Sequence, residues 1–440
     1  MLARTASCDV TPRGRPVRLA GYAQRTEPVS TILDPIEISA VLLECGERRC
    51  LIFSFDLMIV GAELQDMIFA KLARHGCKPG EIMLLASHTH FAPATDRACT
   101  RLGIPEAQFV SDVAAAAEGL VLKMLAEPAS EITLEISQGR LEHSINRRRH
   151  WPFPTFGRTY GLRSSSVVMA PNPQGPTDER ATVLLLRRAD NAKVIGAIWH
   201  YTCHPTAVVP DNVVSSDYPG VVRRALRARF GEIPCVFAQG FCGDIRPNMR
   251  RATQSTGFRN RLRRMVRTIM SGPSFPVPAA GEWTRWSDDL AAKVVAIAQA
   301  PSGKISSPAP LATGSASIQL DSFFRGSVPD KPLAVQIVRL GDMFELVALS
   351  AEATVEWREV IDRAFPVPDG QIRLYAGYLG ALFGYLPTAA QIPQGGYEVE
   401  GFQPLFGLSG TFDSEKIMCC VVGGVKQAFD ELGRAAGDNR

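Results

Sequence analysis

The chain has 440 residues, 46% hydrophobic and 21% charged, an ordinary globular composition long enough for one large or two medium domains. A net charge of +4 is too mild to argue for nucleic acid, and no apolar run reaches membrane-spanning length. The N-terminus MLARTASCDVTP has no apolar signal core and the 10 cysteines form no C-x-x-C pair, so we expect a cytoplasmic chain with reduced thiols and neither zinc fingers nor thioredoxin chemistry.

IEISAVLLEC and CLIFSFD read as a hairpin around Gly46-Glu47-Arg48, with Cys45 and Cys50 free. A helix follows from about 62 to 75, with apolar residues at helical spacing. EIMLLAS is a short buried strand ending in SHTHFAPA, which carries His88 and His90. Residues i and i+2 of a strand face the same side, so the two imidazoles should project together from its C-terminal end. Open α/β sheets bind ligands there. Paired imidazoles suit a metal or proton transfer; two satisfied histidines at a loop mouth are the alternative.

An Ala-rich helix is expected at about 105–126, then strands at EITLEISQGRL, TVLLLRRAD and AKVIGAIWHYT, the last two joined by Ala189-Asp190-Asn191. SDYPGVVRRALRARF reads as a helix with Asp217 near its N-cap, and PCVFAQG as a buried strand. Residues 249–282 contain the basic stretch GFRNRLRRMVRTIM and a Pro-rich run, and read as an insertion. Its basic helix has either a solvated face or a membrane-surface role. A helix at about 288–300 and several strands follow, with LAVQIVRL and MFELVALS pairing around Gly341-Asp342. A last helix spans about 413–434. No internal repeat or flexible linker interrupts the chain. The pattern predicts one domain over 1–440 of mixed α/β (α+β) class, mixed sheets flanked by helices, with more antiparallel strand than a doubly wound fold.

WHYTCHPTAV carries His200 and His204 at a second strand end, His204 lying before a proline, where the strand stops. Glu352 lies just beyond MFELVALS, at a third. Nitrogen ligands plus one oxygen, with a position left for water, make a common zinc set. Glu345 and Glu356 compete for the carboxylate place, but the first lies mid-strand and the second inside a helix.

These blocks, in order, resemble the neutral, non-lysosomal ceramidases and their bacterial relatives. CDVTPRGRPVRLAGYAQR is similar to the family's opening; SFDLMIVG, SHTHFAPA, INRR, CHPTAV, SSDYPG, QGFCGDIRPN, SAEAT and FGYLPTAAQIPQGGYE match successive blocks across nearly the whole chain. The resemblance implies that His88, His204, Glu352 and Tyr385 ligate zinc at strand C-terminal ends. It also implies that Tyr397 binds substrate or stabilises the transition state, and that His90 and Arg147 complete the active site. Asp56 and Asp217 are expected to orient the ligand histidines, the alternative being that each caps a loop or helix.

Zinc would provide hydroxide at neutral pH to attack a carbonyl, with His90 passing a proton to the leaving amine. The expected activity is therefore amide hydrolysis of ceramidase type on a small molecule. A zinc esterase or lactonase, and a non-catalytic metal- or ligand-binding relative, are the alternatives. Two departures bear on the substrate. Arg246 in GDIRPN stands where the family's ceramidases carry serine, and no β-sandwich domain is expected after the catalytic one. A permanent cation at Arg246 predicts a smaller, polar, anionic amide in place of long-chain ceramide; the alternative is that Arg246 turns away to pair with Asp244 or another acid.

Overall fold

A computed structural model describes residues 1–153, 155–157, 161–163, 167–249, 268–269, 272–276, 278–301, 303–305, 310–328 and 331–437. The insertion expected at about 249–282 lies mostly outside the described residues. Strand β1 (Leu2–Asp9) was not assigned from sequence, its alternation being blurred by polar residues. It pairs antiparallel with β2 (Glu37–Cys45), which forms the expected hairpin with β3 (Arg48–Phe55). Helix α1 (Ala62–Ala73) returns the chain to β4 (Ile82–Ala86), parallel to β3. Helix α2 (Ala107–Ala126) leads to β5 (Ser130–Arg140). Strands β6 (Ser144–His150) and β7 (Val167–Asn172) pair antiparallel in a side sheet. The chain then enters the hairpin of β8 (Arg180–Arg188) and β9 (Val194–Tyr201), and α3 (Asp217–Phe230) connects β9 to the parallel β10 (Cys235–Gln239).

These strands make one sheet in the order β10-β9-β8-β5-β1-β2-β3-β4, joined at the β1–β5 corner by only Leu2/Glu131 and Ala3/Ser130. Strand β11 (Ile245–Pro247) joins the side sheet beside β6. Helix α4 (Ala280–Ala298) starts about one turn pair earlier than expected. The Glu282 carboxylate accepts from Ala279 N–H at 2.7 Å and caps its start, while Trp283 and Trp286 bury in the core beyond. A second sheet contains β12 (Leu311–Ile318), β13 (Leu333–Leu340) and β14 (Phe344–Leu349), in that order and antiparallel. The bridge strand β15 (Glu352–Ala353) and helix α5 (Trp357–Ala364) precede β16 (Ile372–Ala376), which lies parallel to β14. Bridge strand β17 (Tyr385–Leu386) and helix α6 (Ile417–Gly437) complete the fold. It is mixed α/β, as expected.

Strand alternation sets the layers. Val41, Ile52, Leu85, Leu134, Leu184 and Ile198 of the first sheet meet Val338, Leu346 and Leu374 of the second in one central cluster. On the opposite faces, Leu51 and Phe53 meet α1 and α2, and Val183 and Leu185 meet α3 and α4. Helix α6 covers the outer face of the second sheet. Glu345, the mid-strand competitor, is spent on Arg339 and Arg373. No helix of the described residues is long and apolar enough to cross a membrane.

Helix α6 approaches β12 so closely that a Cβ on Gly314 would lie 2.1 Å from the Ala428 carbonyl oxygen and 2.9 Å from Leu432 Cβ. Gly314→Ala should therefore cost about 1–3 kcal/mol of overpacking strain. It is read as a lowered urea midpoint with an unchanged slope; an unchanged midpoint would show that α6 shifts without cost.

Candidate active site

His88 lies two residues past β4, with a left-handed backbone at φ 66°. That conformation costs a non-glycine residue about 1–3 kcal/mol and persists where its surroundings impose it. Ser87 N–H donates to Phe55 O at 2.8 Å and His88 N–H to Leu57 O at 2.9 Å, so the loop after β3 holds the kink. The two histidines thus lie beyond the strand and do not share its face, yet their Nε2 atoms come within 3.2 Å.

His88 Nδ1 is 2.8 Å from Met58 O. His204, three residues past β9, places Nδ1 at 2.6 Å from Cys242 O and 3.0 Å from Ile245 O. A carbonyl only accepts, so both rings carry their proton on Nδ1 and present the Nε2 lone pair inward. These lone pairs face Glu352 Oε2, at 3.2 Å from His88 and 3.4 Å from His204. His204 Nε2 is buried and makes no hydrogen bond. Three acceptors converging in a dry site are costly without a cation between them, and two imidazoles with one carboxylate are a zinc donor set. Burial pushes His204 down to about 4, so its ring is neutral.

Strands β15 and β17 run parallel with Glu352 opposite Tyr385, and Glu352 N–H donates to Gly384 O at 2.9 Å, which brings these two candidates together. Arg147, on β6, donates from Nη2 to Tyr385 Oη at 3.1 Å and from Nε to Glu398 Oε1 at 2.7 Å. Its guanidinium lies 5.4 Å from the Tyr385 ring and 5.5 Å from the Tyr397 ring, and the two rings meet at 5.3 Å. Burial opposes the Arg147 charge, but Tyr385 and Glu398 keep it firmly cationic. His90 rests against Tyr22 at 5.1 Å between ring centroids; burial, with His88 and His204, holds it neutral. A Cβ on Gly21, whose φ is 106°, would lie 2.4 Å from His90 Nδ1.

Asp56 and Asp217 touch neither histidine. Asp56 pairs with Arg223 Nη1 at 2.8 Å and accepts from Glu37 N–H. Asp217 accepts from Trp283 Nε1 at 2.9 Å and from the amides of Ala207 and Tyr218. Burial lifts both carboxyls to about 6. The orienting contacts expected of them are made by the carbonyls of Met58, Cys242 and Ile245. His200 is a buried histidine away from this cluster, its Nε2 donating to Tyr375 O at 3.0 Å. Arg246 does not pair with Asp244, whose carboxylate accepts from Val355 N–H and Asn146 Nδ2, each within 2.9 Å.

Three contributors went unassigned from sequence. Tyr378 stacks on His88 at 4.0 Å and donates to Glu352 Oε2 at 3.5 Å. Glu398 pairs with Arg147 and Arg148 at once, one oxygen to each. Tyr22 packs on His90. Only Glu398 left a signal: three consecutive arginines in a strand demand a counter-charge wherever they are buried.

The profile described as neutral/alkaline non-lysosomal ceramidase, N-terminal, matches residues 3–264, more than half of the chain. Among solved structures, the chain is similar to neutral ceramidase from Pseudomonas aeruginosa, with TM-score 0.74 and 15% identity over 98% of this chain and 74% of that one. It is also similar to a structure described as ceramidase complexed with C2, with TM-score 0.69 and 16% identity over 98% and 75%. At such identities these likenesses carry the fold. No curated protein gives a significant match.

Asp56→Ala leaves Arg223 ion-paired only through the longer Glu37 contact, at 3.5 Å, so stability should fall by about 1–3 kcal/mol, while any metal retained by the purified protein at low temperature stays unchanged. Loss of metal at retained fold would return Asp56 to the histidines.

Proposed function

The chain belongs to the neutral/alkaline non-lysosomal ceramidase family, a family of hydrolases, and from that premise we propose that it is a zinc-dependent hydrolase cleaving the amide bond of a small molecule. The observation that carries this reading is the convergence of two inward Nε2 lone pairs on the buried Glu352 carboxylate, with one of them unpartnered. His88, His204, Glu352 and Tyr385 would hold the metal. Bound there, zinc supplies Lewis acidity and makes water nucleophilic at neutral pH.

The remaining roles belong to the chain's own side chains. His90 is neutral and beside both histidines, placed to take a proton from the nucleophile and return it to the leaving amine. Arg147 aims its guanidinium at the Tyr385 phenol and steadies negative charge on that oxygen. The Tyr397 ring, against Tyr385, would offer its hydroxyl to the developing oxyanion. Neutralisation by Glu398 lets Arg147 sit dry without an unpaired charge. An esterase or lactonase would use the same groups, so a matched amide and ester panel separates them. All 10 cysteines are unpaired, which supports a reducing, cytoplasmic setting.

A second ligand set has its own support. His88, His90 and His204 each offer a nitrogen within 4.8 Å of the others. The two sets differ in one measurement. With Tyr385 as ligand, His204→Ala should lose the zinc, and His90→Ala should keep it in elemental analysis. Loss of zinc in His90→Ala would favour the three-histidine set; undiminished zinc in His204→Ala would sink both.

Turnover divides the groups differently. Tyr397→Phe should retain zinc and substrate binding but lose roughly 10²–10³-fold in kcat, the typical worth of one oxyanion donor or general acid. A near-normal kcat would remove Tyr397 from the reaction.

A further inference from the structure

Arg246 stands beside this site and has no part in it so far. It lies on β11, paired with Ile145 of β6, one residue after the Ile245 carbonyl that orients His204. No carboxylate of the described residues pairs with it. Its only hydrogen bond among them is a long one, Nη2 to Thr206 O at 3.5 Å, and its guanidinium lies 4.9 Å from the Phe275 ring. An arginine cannot shed its charge at any working pH, so a partly buried, unpaired guanidinium is a standing electrostatic demand.

The space it faces is bounded. Arg246, Thr206, Ile145, Phe275, Pro276 and Pro278 line a cavity of about 160 Å³. The Thr206 hydroxyl is buried there and makes no hydrogen bond. Glu282 also borders the cavity, with its carboxylate engaged on Ala279 N–H at the start of α4. The cavity adjoins the candidate active site: the Thr206 carbonyl also accepts from Tyr22 Oη at 2.9 Å, and the Tyr22 ring packs on His90. A fixed cation and a free hydroxyl donor thus meet in a small, mostly apolar hollow, with Asn248 and the engaged Glu282 at its border, one side chain from His90.

We propose that Arg246 and Thr206 bind a carboxylate carried by the amide substrate, an inference that rests on the amidase reading above. The planar guanidinium fork matches a carboxylate, and the threonine hydroxyl supplies a further donor. Arg147 and Arg148 do not compete for the anion, because both are held by Glu398. The hollow is well below the several hundred Å³ of an ordinary ligand pocket. It takes the acidic end of a compact N-acyl amino acid, and a long alkyl chain would have to lie elsewhere.

The test compares N-acetyl-leucine with its neutral carboxamide, N-acetyl-leucinamide. Binding is measured by calorimetry on zinc-loaded protein slowed by His90→Ala. The acid should bind at least ~10-fold more tightly, the low end for a charge-assisted hydrogen bond. Adding Arg246→Ser should bring the two ligands to parity. Thr206→Val, nearly isosteric, should cut the preference several-fold and gives an independent reading should Arg246→Ser fail to fold. Equal affinities in the parent, or a preference that survives both substitutions, would overturn the proposal. Hydrolysis of the same pair is scored separately on the unaltered protein. An anion preference that depends on Arg246, without turnover of any amide, overturns the amidase reading alone; turnover with equal affinities overturns the anion site alone.

Discussion

Two imidazole nitrogens, both acceptors, are held 3.2 and 3.4 Å from one carboxylate oxygen in a buried site. That juxtaposition is unfavourable by itself, and much of the surrounding architecture serves to impose it. Backbone carbonyls fix both rings in the tautomer that points a lone pair inward. A left-handed residue turns His88 off its strand, and a two-residue parallel bridge places Glu352 against Tyr385. Strain of this kind persists only where many contacts over-determine it. Here they come from the loop after β3, from the end of β9 and from both sheets.

Charge around this centre is arranged to leave the interior nearly balanced. Glu398 spreads one negative charge over two arginines, one of which also donates from Nη2 to Tyr385. The phenol is therefore flanked by an anion on one side and a cation on the other. Burial pushes its ionisation well up, Glu352 adds to this, and Arg147 opposes it. Such an oxygen stays protonated at neutral pH.

The periodic parts of the chain were legible. The hairpin at Gly46, the α1 and α2 segments, the β8–β9 pair and the β13–β14 pair lie where alternation and helical spacing put them. His88, His90, His204 and Glu352 stood out as histidines and a glutamate at strand ends, whereas Tyr385, Arg147 and Tyr397 were reached only through the family resemblance. What sequence reasoning missed has a common cause. Asp56 and Asp217 were assigned to the histidines because carboxylates are visible in a sequence, whereas the carbonyls of Met58, Cys242 and Ile245, which make those contacts, belong to every residue type. Tyr378 was overlooked because its role depends on a left-handed turn after β16 that no local pattern announces. The early start of α4 was hidden by the prolines before it, though Glu282 was a readable cap signal.

The converging groups come from positions 88, 204, 352 and 385 of a 440-residue chain. Only Glu352 and Tyr385 lie within one stretch, so the centre depends on contacts of long sequence separation, whose loop closure slows folding. A polypeptide still being synthesised exposes His88 and His204 long before Glu352 exists. Until then those histidines are ordinary, separate imidazoles with little grip on a cation. The donor set is therefore complete only once both sheets have docked, so any grip this centre has on a cation is a property of the finished fold and of no shorter piece of the chain.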